Sequence, residues 1–149
     1  MSDALGKMRT FVEGFPDFDI LGSLEIDWTD EVPNCAGLFP AGMVEVSRKA
    51  DITGNVAVTN QYNFALYARL PKMGQPDDAG AELNASWVMA FQEWVQAQSV
   101  LGLAPAFGDN PRSERIAASN GALYSAGDEG TALYAVQLSV RFEKRYKRS

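Results

Sequence analysis

Histidine is absent from the 149 residues, and cysteine occurs once, at Cys35. Without histidine there is no Ser-His-Asp or Cys-His nucleophile pair and no histidine-ligated metal. The commonest general base near neutral pH is also missing. A single thiol forms no internal disulfide and builds no zinc site alone, so a buried thiol is the plain reading of Cys35. No apolar run approaches the roughly 18 residues of a membrane span, so no membrane partner is expected. The opening residues, MSDALGKMRTFVEG, hold no apolar stretch of the signal-peptide kind, which predicts a protein that starts in a cytoplasm. Walker A, dinucleotide, CxxC, HExxH and GxSxG patterns are missing. No catalytic, cofactor-binding or metal-ligating residue is assigned.

What remains is ordinary globular composition, 46% hydrophobic and 21% charged, in a chain long enough to bury a core. One domain over residues 1–149 is the default. The net charge is −6, which argues against DNA binding by the whole surface. The charge is uneven, because Lys144, Arg145, Lys147 and Arg148 crowd the C-terminus. A basic tail on an acidic body reads as a contact with a partner or neighbouring subunit, or as a solvated terminus.

The stretch Leu83–Gly108 is the only long segment with helical period. It predicts a helix over about 81–101, with Leu83, Trp87, Phe91, Trp94, Gln98 and Leu101 on one stripe. Val88 and Val95 widen that stripe, while Glu82, Gln92, Glu93 and Gln96 mark the wet face. Gly102 and Pro105 stop it. Leu5, Met8, Val12 and Phe15 space a short N-terminal helix over 2–13, ended by Gly14 and Pro16. Strands are expected at 20–28, 43–50, 56–70, 113–126 and 131–146, with a long loop at 29–42 carrying two prolines and two glycines. Asp51–Asn55 is a turn with Gly54 at positive φ. Val56, Val58, Tyr62, Phe64, Leu66, Ala68 and Leu70 share one face of the third strand. Tyr134, Val136, Leu138, Val140 and Phe142 share the inner face of the last. The expected fold is α+β: a mainly antiparallel sheet of long hairpins packed by the long helix and the short N-terminal one.

Two carboxylate groups have the residue types of a site. Asp77 with Asp78 reads better as acid before a helix, where it favours the dipole. Asp27, Asp30 and Glu31 read better as an acidic loop face than as cation ligands.

The pattern Phe91-x-x-Trp94-Val95-x-x-Gln98, with Gly102 and Pro105 after it, resembles a family of small phage proteins labelled minor capsid proteins. These are similar to the tail terminator, or tail completion, proteins of long-tailed phages. Upstream, Gln61 to Arg69 resembles the family's aromatic strand, with Tyr62 and Phe64. Leu24–Trp28 followed by Val32, Pro33, Asn34 and Cys35 resembles its first strand and loop. Downstream, Ser119, Gly121, Leu123, Tyr124, Asp128 and Thr131 to Gln137, with Tyr134, fit its closing hairpin. The order of these motifs covers most of the chain.

The resemblance implies a structural virion protein at the tail–neck junction, assembled in the host cytoplasm. Its partners would be copies of itself in a hexameric ring, a tail tube protein and a head-completion or neck protein. DNA would pass through the lumen without sequence-specific binding. No cofactor is implied. Candidate interface residues are Val32, Pro33, Asp51, Thr53, Asn55, Lys144, Arg145, Lys147 and Arg148. Another head–tail connector or a tube component is the alternative. An acyltransferase-like enzyme, and a ligand pocket lined by Trp87 and Trp94, are weaker alternatives.

Overall fold

Two long strands joined by a five-residue turn form the spine of the molecule. The computed structural model describes residues 3–16, 23–26, 35–71, 79–110, 113–126 and 131–147. Along the chain run α1 (Asp3–Glu13), β1 (Ser23–Ile26), β2 (Cys35–Ala50), β3 (Val56–Pro71), α2 (Ala79–Val100), β4 (Arg115–Ala126) and β5 (Thr131–Tyr146). The strands form one sheet in the order β1-β2-β3-β5-β4. Four are antiparallel, and short β1 adds to β2 in parallel. The fold is α+β, as the periodicity implies.

β3 and β5 alternate with period two, and their buried apolar residues all fall on one phase: Val58, Phe64, Leu66 and Ala68 on β3, and Tyr134, Val136, Leu138, Val140 and Phe142 on β5. The register sets these rows side by side, with Phe64 opposite Leu138 and Leu66 opposite Val136. α1 and α2 join the same core through Met8, Val12, Trp87, Val88, Phe91 and Val95. Each fully buried large side chain here contributes roughly 1.5–3 kcal/mol. The closest packing of helix on sheet is at β4. A Cβ on Gly121 would stand 2.3 Å from Gln92 Oε1 and 2.6 Å from Val88 Cγ1. The run of small residues in β4 lets the helix approach.

α2 ends at a Schellman turn. The Gly102 amide (φ +76°) donates to Ser99 O, and the Leu103 amide donates to Gln98 O at 2.8 Å. α1 closes at Gly14 and sends Phe15 into the aromatic group of α2. Its ring lies 5.6, 5.3 and 5.4 Å from Trp87, Phe91 and Trp94.

Several expectations are corrected. The loop expected over 29–42 gives way to strand at Cys35. Pro40 lies beyond the reach of β1, with no strand on that side among the described residues, and Gly42 (φ +92°) falls in the register shift between Pro40 and Met43. Proline and glycine here mark an edge and a bulge rather than a loop. Leu101 is not on the buried stripe, because the helix stops at Val100 and leaves it 68% exposed. Gln92 is not on the wet face. It is half-buried and donates through Nε2 to Ala118 O at 3.3 Å. β5 accompanies β3 to its first residue, with Val56 opposite Tyr146.

Candidate functional site

A sheet has edges, and their treatment differs sharply in this molecule. An uncovered edge presents unpaired N–H and C=O groups and invites another strand. Over the first residues of β4, α2 supplies two of the missing partners: the Ile116 amide donates to Ser99 Oγ at 3.1 Å, and Gln92 donates to Ala118 O. Beyond the start of β4, the side of β5 it would have covered is taken by the 104–110 segment. The Asp109 amide donates to Glu143 O at 2.7 Å, and the Arg145 amide donates to Asp109 Oδ2 at 2.8 Å. Gly108 permits this approach, because a Cβ there would stand 2.2 Å from Glu143 O. Glu114, only 2% exposed, clamps the segment: its carboxylate accepts the Phe107 amide at 2.5 Å and the Gly108 amide at 3.2 Å. Phe107 then plugs a gap among Tyr62, Phe64 and Phe142.

β2 is treated differently. β1 covers only its first residues, from Cys35 to Leu38. From Phe39 to Ala50 its outer edge has no strand beside it among the described residues, and residues 40–50 are exposed. Met43, Val44 and Val46 are each 41–54% exposed there.

The turn at the end of β2 is stiff. Asp51 Oδ1 accepts the Thr53 amide and hydroxyl and the Asn55 amide at 2.7–2.9 Å. These bonds, the Thr53 hydroxyl first, hold the Asp51 carboxyl below its ordinary pKa. Gly54 (φ +91°) closes the turn, and Ile52 at its tip is fully exposed. Asp51, Thr53 and Asn55 therefore build the turn themselves, with Ile52 outermost. On the strand, Glu45 accepts from Arg48 at 2.7 Å, which raises the guanidinium's pKa.

Beside the turn lies an open cleft of about 450 Å³, whose walls include Lys49, Asp51, Glu143, Arg145, Tyr146 and Lys147. Arg145 bonds Glu143 at 3.0 Å, and Asn110 donates to the other oxygen at 3.2 Å, so the Glu143 carboxyl is held below its usual range. Lys49 and Lys147 have no partner among the described residues. This corner can hold an anionic group.

The other sequence candidates fall as follows. Trp87, Phe91, Val95, Phe64 and Tyr134 are core; Trp94, Gln98 and Tyr62 are half-buried around it. Arg145 and Lys147 meet at the cleft, while Lys144 is half-buried and faces a shallow hollow beside Met43, Tyr62 and Phe107. Val32, Pro33 and Arg148 lie outside the described residues, as do Asp27, Asp30, Glu31, Asp77 and Asp78. Among the described residues no three Asp, Glu or Cys side chains group to hold a metal ion. No helix among them is long and apolar enough to cross a membrane.

Sequence reasoning missed Glu114, Asn60 and the edge-capping Gln92 and Ser99. Asn60, 7% exposed, had a signal: it occupies the inward phase of β3 between Val58 and Tyr62. Glu114 had none. No protein-family model matches this chain, and none of the curated proteins compared with it is a match.

Proposed function

We propose that the chain is a structural virion protein, a tail terminator that forms a ring capping the tail tube and joins it to a neck or head-completion protein. The observation that carries this reading is the unsealed edge of β2. A chain that caps the first part of β4 with side chains and the far part of β5 with a loop leaves twelve residues of β2 with no strand beside them among the described residues, with apolar side chains on show. Such an edge is a hazard in a monomer and a docking strip in an assembly. The order of the family-like motifs supports the same assignment. A ring is a closed heterologous assembly, in which one surface of each copy meets a different surface of the next. DNA would pass through its lumen unread. The place of action is the tail–neck junction.

The test is the mass of the purified protein in solution, alone and then with tail tubes. A ring, or a monomer that becomes a ring on the tube end, is the expected result. A tube subunit or connector would instead stack into long polymers or bind only the head side. A chain that stays monomeric with tube ends present sinks the terminator reading. Turnover of an acyl-CoA substrate would sink the structural reading as a whole.

A further inference from the structure

Charge is segregated along this chain. Between Arg9 and Arg48 there are eight carboxylates and no lysine or arginine, and from Arg141 to Arg148 five basic residues accompany one carboxylate. The sheet turns this segregation into a spatial one. β1, which carries Glu25, lies beside the first residues of β2, with Glu25 opposite Gly37. The basic cleft lies at the other end of the same strand, at Lys49 and Ala50. At about 3.3 Å per residue, Gly37 and Lys49 stand roughly 35–40 Å apart. Paired to β3 along that length, β2 cannot fold one end onto the other.

We infer that the cleft lined by Lys49, Arg145 and Lys147 receives the acidic Asp17–Glu31 segment of a second copy of this chain. This rests on the ring reading and names the contact that would build the ring. That segment holds six carboxylates and no basic residue. At no more than about 3.6 Å per residue, Asp17 reaches at most about 22 Å from Ser23 and Glu31 at most about 15 Å from Cys35, which leaves both short of Lys49 in their own chain, so the attraction acts between molecules, head to tail. Such a contact leaves one free end of each kind, so it propagates into a ring where the rotation closes and into a filament where it does not. Nucleic acid fits the cleft less well. Asp51 and Glu143 interrupt the cations, and a chain of net charge −6 repels a polyphosphate at long range. Carboxylates spaced by neutral residues can settle on Lys49 and Lys147 while avoiding Asp51 and Glu143. Tyr146, 53% exposed at the same corner, offers apolar contact beside the charges.

The experiment reverses each end and then both. Lys49→Glu with Lys147→Glu alters two exposed side chains with no partner among the described residues. Asp30→Lys with Glu31→Lys alters the other end, with Asp30→Asn and Glu31→Gln in reserve if the reversal fails to fold by circular dichroism. Molecular mass is measured by light scattering on the full chain at about 0.01 M and about 1 M salt, where screening lengths are about 30 and 3 Å. The expected result is assembly of the natural chain at low salt and its loss at high salt. Each reversal alone should give monomer, and the chain carrying both should assemble again. A natural chain that stays monomeric at low salt overturns the inference, as does assembly indifferent to either reversal, or reversals that do not rescue each other. A short DNA duplex is run beside them: binding by the natural chain, lost in the Lys49→Glu/Lys147→Glu variant while its mass is unchanged, would give the cleft to nucleic acid instead. The two readings separate cleanly. Head-to-tail assembly that never caps a tail tube keeps this contact and removes the terminator role; capping that ignores both reversals does the reverse.

Discussion

Replacing Glu114 with alanine tests whether a single buried carboxylate holds one margin of the sheet closed. Two effects oppose each other. Removing the side chain leaves the Phe107 and Gly108 amides without their acceptor in a partly buried loop, at about 1–3 kcal/mol each. Against this, a carboxylate that is 2% exposed costs several kcal/mol to bury, and alanine relieves that cost. The second effect wins only if water can reach the freed amides. Here Phe107 packs at 5.8 Å on Tyr62 and 5.7 Å on Phe142, so water enters only if that ring is dislodged. The loss should therefore dominate, at about 2–4 kcal/mol, read from urea unfolding. Glu114→Gln supplies the internal control. It keeps one acceptor for Phe107 but turns an N–H toward the Gly108 amide, and should lose about half as much. A Glu114→Ala protein within about 0.5 kcal/mol of the natural one, or a Gln variant worse than Ala, would refute the clamp.

Four further outcomes follow from the same geometry. Gly108→Ala places a Cβ 2.2 Å from Glu143 O, so the 104–110 segment must lift from β5; a stability loss of about 1–3 kcal/mol and faster hydrogen exchange at Asp109 and Arg145 are expected. Trp94→Ala removes a half-buried ring that lies 4.9 Å from Phe11 and should cost roughly 3 kcal/mol, at the low end for a buried indole; lost assembly with unchanged stability would make α2 an interface instead. Asp51 has a native pKa lowered by its turn, so its contribution is present above the unfolded-state value and disappears as pH falls through the native value. Amide shifts of Thr53 and Asn55 should titrate below the ordinary carboxylate range, and a midpoint at or above that range contradicts the turn. Val44→Lys with Val46→Lys on the open edge of β2 should leave stability within about 0.5 kcal/mol and abolish ring formation; assembly that survives removes β2 from the interface.

How much of this was legible depends on whether the information is periodic. Alternation in β3 and β5 names their buried faces residue by residue, because a strand with one covered face must repeat every two positions. The α2 stripe is legible for the same reason at 3.6, and it fails only at its margins. Gln92 belongs to the face that leans on β4, and Leu101 follows the last helical residue. Pro40 and Gly42 mislead because the same two residue types serve a loop and a bulged edge strand. Only the neighbour, here β1 stopping at Leu38, decides between them.

The devices that close the sheet carry no period at all. Ser99 and Gln92 each cap one backbone group, Glu114 holds two, and Gly108 does its work by lacking an atom. Each is a single polar or small residue whose meaning exists only once two distant elements have met. The two margins of the sheet are therefore treated asymmetrically. Four isolated side chains, those of Gln92, Ser99, Asp109 and Glu114, and one glycine act at the first part of β4 and the far part of β5, and nothing comparable stands beside β2 after Leu38 among the described residues. The long helix that dominates the sequence thus acts twice, as core through Trp87, Phe91 and Val95, and as a lid on β4 through Gln92 and Ser99. By capping the first part of β4 it leaves the outer edge of β2 as the margin with no such cap among the described residues.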